Sequence, residues 1–135
     1  MAFRPLRWLL PFLTALFLGF GTPALANDHG DGGGAPGPIK FVTNLGNPNN
    51  GGRYIQIEVA FEAASPEVEH SIGAYKPKIQ HAVLLLLSSQ EAAKLLTLDG
   101  KRELAANIHS LTNKILDETE KTGVKEVLFT SFIIQ

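Results

Sequence analysis

The sequence predicts a small α+β domain, on three observations. Residues 53–62 give the cleanest alternation of apolar and polar side chains in the chain, with Ala60 between the polar ones, as a half-buried strand does. Residues 104–115 carry apolar side chains at helical spacing. Residues 124–135 form an apolar, β-branched and aromatic run that reaches the C-terminus. Strand signals on both sides of a helical stretch point to α+β rather than to a repeating parallel unit. The expected order is an N-terminal β-hairpin, a helical middle and a central C-terminal strand.

Ahead of that domain lie two other segments. Residues 1–26 read as a signal peptide or an N-terminal membrane anchor. Arg4 and Arg7 supply positive charge, Trp8 opens an almost wholly apolar run, and Ala24-Leu25-Ala26 offers small residues to a signal peptidase. The apolar run is shorter than the roughly 20 residues that span a bilayer, and Pro11 interrupts it. Either form leaves the arginines on the cytoplasmic side and exports the rest. Residues 27–38, rich in glycine and closed by Pro36 and Pro38, read as a flexible linker. Residues 39–135 then form the folded domain.

Phe41, Thr43 and Leu45 alternate with Lys40, Val42 and Asn44, which predicts a short first strand. Asn-Pro and Asn-Gly pairs in residues 46–52 predict a turn. In the second strand Ile55, Ile57, Val59 and Phe61 face one side while Tyr54, Gln56, Glu58 and Glu62 face the other. Ser65-Pro66-Glu67 predicts a helix start, which Gly73 should end early. Pro77 predicts a second start, running into Leu84, Leu85, Leu86 and Leu87. That end is apolar almost all round, so it is buried on several sides or meets another subunit. Ser88-Ser89-Gln90-Glu91 resembles a capping box and places a short helix over residues 90–96. The longest helix begins near Asp99-Gly100, buries Leu104, Ile108, Leu111 and Ile115 on one stripe, and stops at Gly123. In the closing strand Val127, Phe129 and Ile133 point one way, Leu128, Phe132 and Ile134 the other. A strand apolar on both faces is expected in the middle of a sheet.

Composition removes several function classes. The net charge of −1 over 135 residues gives no electrostatic case for nucleic acid. The absence of cysteine excludes thiol catalysis, disulfides and thiolate metal sites. Among His29, His70, His81 and His109 no two stand four apart, the spacing of a metal pair on one helix. No Gly-x-Ser-x-Gly elbow or phosphate loop occurs, and the carboxylates read as a solvated face. The expectation is a protein that is not an enzyme and needs no cofactor.

A resemblance extends this reading. Its residues are Lys40-Phe41-Val42-Thr43-Asn44-Leu45, Arg53-Tyr54-Ile55-Gln56-Ile57 and Leu84-Leu85-Leu86-Leu87-Ser88-Ser89. Asp99-Gly100-Lys101 with Leu104 follow, then residues 123–135; Leu86-Leu87-Ser88-Ser89 and Phe129-Thr130-Ser131-Phe132-Ile133-Ile134-Gln135 together are the specific part. With these, residues 39–135 resemble the flagellar basal-body-associated FliL family. The resemblance implies a non-enzymatic motor component on the periplasmic face of the inner membrane, beside the stator units that turn ion flow into torque for swimming or swarming. It also implies a domain similar to stomatin-like (SPFH) domains, with self-association into a ring. The short N-terminal segment departs from the family's long spanning helix, which bears on permanent anchoring. Two other readings stay open at this level: a periplasmic oligomeric scaffold without a flagellar role, and a small metal- or ligand-binding module.

The residues expected to carry interactions are Leu84, Leu85, Leu86 and Leu87 on the helix, with Phe129, Phe132, Ile133 and Ile134 on the closing strand. One metal site is conceivable. Cleavage after Ala26 would expose Asn27-Asp28-His29, whose terminal amine, two backbone amides and imidazole form a square-planar nitrogen set suited to copper(II) or nickel(II).

Overall fold

The structure of the chain, a computed structural model, describes residues 36–46 and 52–135. The first strand, β1 (Ile39–Asn44), pairs antiparallel with β2 (Tyr54–Ala63), from Ile39 opposite Val59 to Asn44 opposite Tyr54. This is the hairpin expected from the alternation. Ile55, Ile57 and Val59 are fully buried, while Tyr54 and Glu62 are exposed on the other face.

The middle of the chain differs from expectation at its first helix. Residues Pro66–Ser88 form one continuous helix, α1, where Gly73 and Pro77 were expected to break it in two. Ser65 caps its start, accepting a hydrogen bond from the Val68 amide at 3.4 Å, and Pro66 occupies the first turn. Pro77 removes the hydrogen bond that would reach the Gly73 carbonyl one turn earlier. Residues 73–78 are all exposed, which leaves that freed carbonyl open to solvent, and the two helix breakers fall on the same exposed stretch. Val68, Ile72, Ile79, Val83 and Leu87 are buried on either side of it.

The serines at the end of α1 close this helix instead of opening the next one. Ser88 Oγ donates to the Leu84 carbonyl at 2.8 Å and Ser89 Oγ to the Leu86 carbonyl at 2.7 Å. The Leu86 carbonyl is among the last four of the helix, which lack an amide partner within it, and Ser89 serves it. The short helix α2 (Ala92–Leu95) begins after Glu91, without a side-chain cap. The third helix, α3 (Leu98–Leu116), is capped by Thr97, whose hydroxyl accepts from the Gly100 amide at 3.0 Å. Leu104 and Ile108 are buried and Leu111 and Ile115 partly so, as the stripe predicts. Asp117, in the left-handed conformation with φ 57°, ends α3 six residues before the expected Gly123.

The terminal strand β3 (Val124–Ile134) pairs antiparallel with β2, and the sheet order is β1-β2-β3. The closing strand is therefore an edge, and β2 occupies the central place expected of it. The reason lies in two bulges. Glu58 opposes Ser131 while Val59 opposes Phe129, so Thr130 has no partner; Glu62 opposes Glu126 while Ala63 opposes Val124, so Lys125 has none. Each extra residue reverses the side-chain alternation beyond it. Phe129 and Phe132 consequently share one face, rather than opposite faces, and their rings meet edge to face with centroids 5.2 Å apart. Val124, Val127, Phe129, Phe132 and Ile134 all turn toward the helices. Leu128 and Ile133 point outward and are exposed. The described residues thus form two layers, with α1 and α3 against one face of the sheet and no described element on the other.

Candidate interaction surface

The residues singled out from the sequence do not form one surface. Leu87 is buried, Leu84 and Leu86 are half-buried against the core, and Leu85 is 60% exposed. Phe129, Phe132 and Ile134 are half-buried under the helices, while Ile133 lies on the outer face of the sheet. Leu85 and Ile133 therefore sit on opposite sides of the two layers. The outer face carries Val42, Tyr54, Leu128 and Ile133, each at least 40% exposed. Val42 and Ile133 flank Gln56 in one row across all three strands. His29, Asn27 and Asp28 lie outside the described residues.

Little in the described residues resembles a reaction centre. No group of three histidine, aspartate or glutamate side chains there could hold a metal ion. His70 and His81 are exposed on α1. A concavity beside Leu45, Arg53, Ser89, Glu91 and Leu96 brings together one cation and one carboxylate without a histidine. Glu67 is held below the ordinary carboxylate range by its hydrogen bond with Ser65 and by its own backbone amide, which belongs to helix capping.

His109 has a structural task that the sequence did not reveal. Asn113 Oδ1 accepts from the Val124 amide at 2.7 Å, and Asn113 Nδ2 donates to the Val124 carbonyl at 3.0 Å. His109 Nε2 lies 2.6 Å from the same carbonyl. A carbonyl only accepts, so His109 carries a proton on Nε2, and its 3.2 Å approach to Asn113 Nδ2 sets two donors side by side. Gly123 makes room for this latch: a Cβ there would collide with Asn113 Oδ1 and come within 2.6 Å of Glu118 Cβ. The His-x-x-x-Asn spacing from His109 to Asn113 places both on one helix face, a signal that exists in the sequence only once their common target is known.

The latch sits at the start of an otherwise open strand edge. Tyr54 and Gln135 exchange both backbone hydrogen bonds, at 2.9 and 3.0 Å, and the Tyr54 hydroxyl also donates to Gln135 Oε1. In an antiparallel ladder such pairs alternate with pairs whose backbone groups point outward. Counting back through the register, the N–H and C=O of Ile134, Phe132, Phe129, Val127 and Val124 point away from β2. At Val124 the Asn113 amide fills that edge like a short piece of neighbouring strand. Beyond it, a shallow groove runs between α3 and β3, floored by Ala105, Ala106 and Val127 and walled by Arg102, His109 and Lys125.

The described residues thus form a small α+β domain: three antiparallel strands backed by helices on one face, with no group of histidine, aspartate and glutamate side chains that could hold a metal ion. Comparison with known proteins gives its family. Residues 38–135 match the family described as flagellar basal body-associated protein FliL, and the chain belongs to that family. A flagellar protein FliL of Aquifex aeolicus is 30% identical over 95 residues, which is 70% of this chain and 56% of that protein. One of Escherichia coli K12 is 31% identical over 96 residues, 70% of this chain and 60% of that protein, and one of Shigella flexneri is equally similar. The chain thus spans less than two thirds of the length of these relatives.

Proposed function

We propose that this protein is a non-enzymatic component of the flagellar basal body, acting on the periplasmic side of the inner membrane beside the stator units and supporting motor torque. The observation that carries this reading is the family match, which covers the whole folded domain at residues 38–135. The sheet face with Val42, Tyr54, Leu128 and Ile133 supports self-association, since exposed large apolar side chains gathered on one face are a common mark of an interface. Copies that meet through unlike surfaces form a ring when the rotation closes. Among the described residues no helix is long and apolar enough to cross a membrane, so residues 1–26 are the segment proposed to export or tether the domain. A strain lacking the protein should swim or swarm more slowly, and the full chain should restore it. Unchanged motility in liquid and on soft agar would overturn the motor role.

The copper or nickel site at Asn27-Asp28-His29 is a separate proposal that depends on cleavage after Ala26. Copper(II) added to the processed chain should give a visible absorption band that His29→Ala abolishes; a band that persists places the metal elsewhere.

A further inference from the structure

We propose that the open edge of β3, between Lys125 and the bulge at Thr130, receives a short extended segment bearing carboxylates, which joins the sheet as a fourth strand beside α3. The site depends on the geometry of this edge and not on the motor role. The backbone N–H and C=O groups of Val127 and Phe129 point outward, away from β2. An added strand satisfies such groups directly, and the side chains beside it set the sequence it accepts. The protein already uses this edge once: the Asn113 amide pairs with both backbone groups of Val124, at 2.7 and 3.0 Å. The next outward residue, Val127, has the same orientation without such a partner among the described residues.

The walls determine the chemistry of the incoming segment. Arg102 stands on α3 and Lys125 on β3, and both line the groove together with His109 and the small side chains of Ala105 and Ala106. Arg102 is only loosely engaged, 3.8 Å from Asp99, and its side chain is 72% exposed. Lys101, one residue earlier, places its Nζ 5.1 Å from the Phe132 ring centroid and extends the positive side toward the end of the strand. Glu126 also borders the groove, but it pairs opposite Glu62 and so belongs to the outer face of the sheet. The edge is therefore cationic on its helix side. Charge complementarity selects an acidic segment. It disfavours the other available strand, β1 of a second copy, whose residues Ile39–Asn44 include Lys40 and no carboxylate. The bulge at Thr130 interrupts the outward spacing, since Phe129 and Phe132 are three residues apart. That confines regular pairing to the stretch before it.

The test uses the full chain and three end-blocked eight-residue peptides. One alternates valine with glutamate, one alternates valine with lysine, and one is the glutamate peptide with every amide N-methylated. The glutamate peptide should bind, slowing exchange of the Val127 and Phe129 amide protons and leaving those of β1 unchanged. The lysine peptide should bind roughly tenfold more weakly, and N-methylation should abolish binding. Arg102→Glu combined with Lys125→Glu should reverse the preference between the two charged peptides, a readout that a misfolded variant cannot give. Arg102→Ala alone, on an exposed helical position, should weaken the glutamate peptide by about threefold. Equal binding of both charged peptides, undiminished binding after N-methylation, or protection appearing at β1 instead of β3 would overturn the proposal.

Discussion

β2 and β3 look alike in composition and are treated differently by the fold. Both are rich in isoleucine, valine and phenylalanine, and they lie side by side over most of their length. β2 keeps its large apolar residues on one parity, needs no bulge of its own and sits in the middle of the sheet. β3 has apolar residues at both odd and even positions and absorbs that irregularity with two unpaired residues at an edge. Two apolar faces in a sequence thus need not mean two buried faces. They can mean one face whose phase has been reset by bulges, and an edge strand tolerates those resets because only one neighbour must keep register.

The sharpest way to break this comparison is to truncate one residue from each strand. Ile57 of β2 is wholly buried and faces Phe132 of β3 across the ladder. Ile57→Ala should destabilise the domain by about 3–4 kcal/mol through lost burial and the cavity left behind. Phe132→Ala, at a half-buried edge position, should cost roughly half as much despite removing more atoms. Urea melts of the two variants decide it; equal losses would mean that β3 is as central as β2.

The second largest effect concerns the point where β3 is held. Gly123→Ala should cost about 2 kcal/mol, because the new methyl group displaces the Asn113 amide from both backbone groups of Val124. Asn113→Ala should cost a similar amount, and the double variant little more than either single one. Additive losses in thermal melts would show that Gly123 and Asn113 act separately.

The smallest effect is the most specific. Deleting Thr130 removes the unpaired residue and leaves every β2–β3 pair beyond it in place. The deletion should therefore cost only about 1 kcal/mol, although a deletion within a strand normally throws its side chains onto the wrong face. Cross-strand proton contacts between Phe132 and Ile57 should survive it. Their loss, with exposure of Phe132, would mean that Thr130 is part of the pairing.

The hairpin and the stripe of α3 were legible because each is a local pattern whose period matches its element. Ile55, Ile57 and Val59 could point nowhere but inward together, and Leu104 and Ile108 lie one turn apart on any helix. The continuity of α1 was not legible. Gly73 and Pro77 are breakers by local propensity, and only the surrounding exposure leaves water to serve the freed carbonyl. The roles of Ser88 and Ser89 were ambiguous for a similar reason, since a serine hydroxyl serves either end of a helix and the chain's path decides which.

The sequence by itself determined the class of domain, the hairpin register face, the helical middle and the family, because these rest on periodicity and on residues near one another in the chain. Tertiary structure alone decided that β3 lies at an edge, that Phe129 and Phe132 share a face, and that His109 and Asn113 hold Val124. Each of these depends on partners far apart in sequence: Val59 and Phe129 are paired, as are Asn113 and Val124, and no local period encodes such meetings. The open edge and its cationic wall follow from the same fact, since among the described residues β3 has β2 as its single strand neighbour.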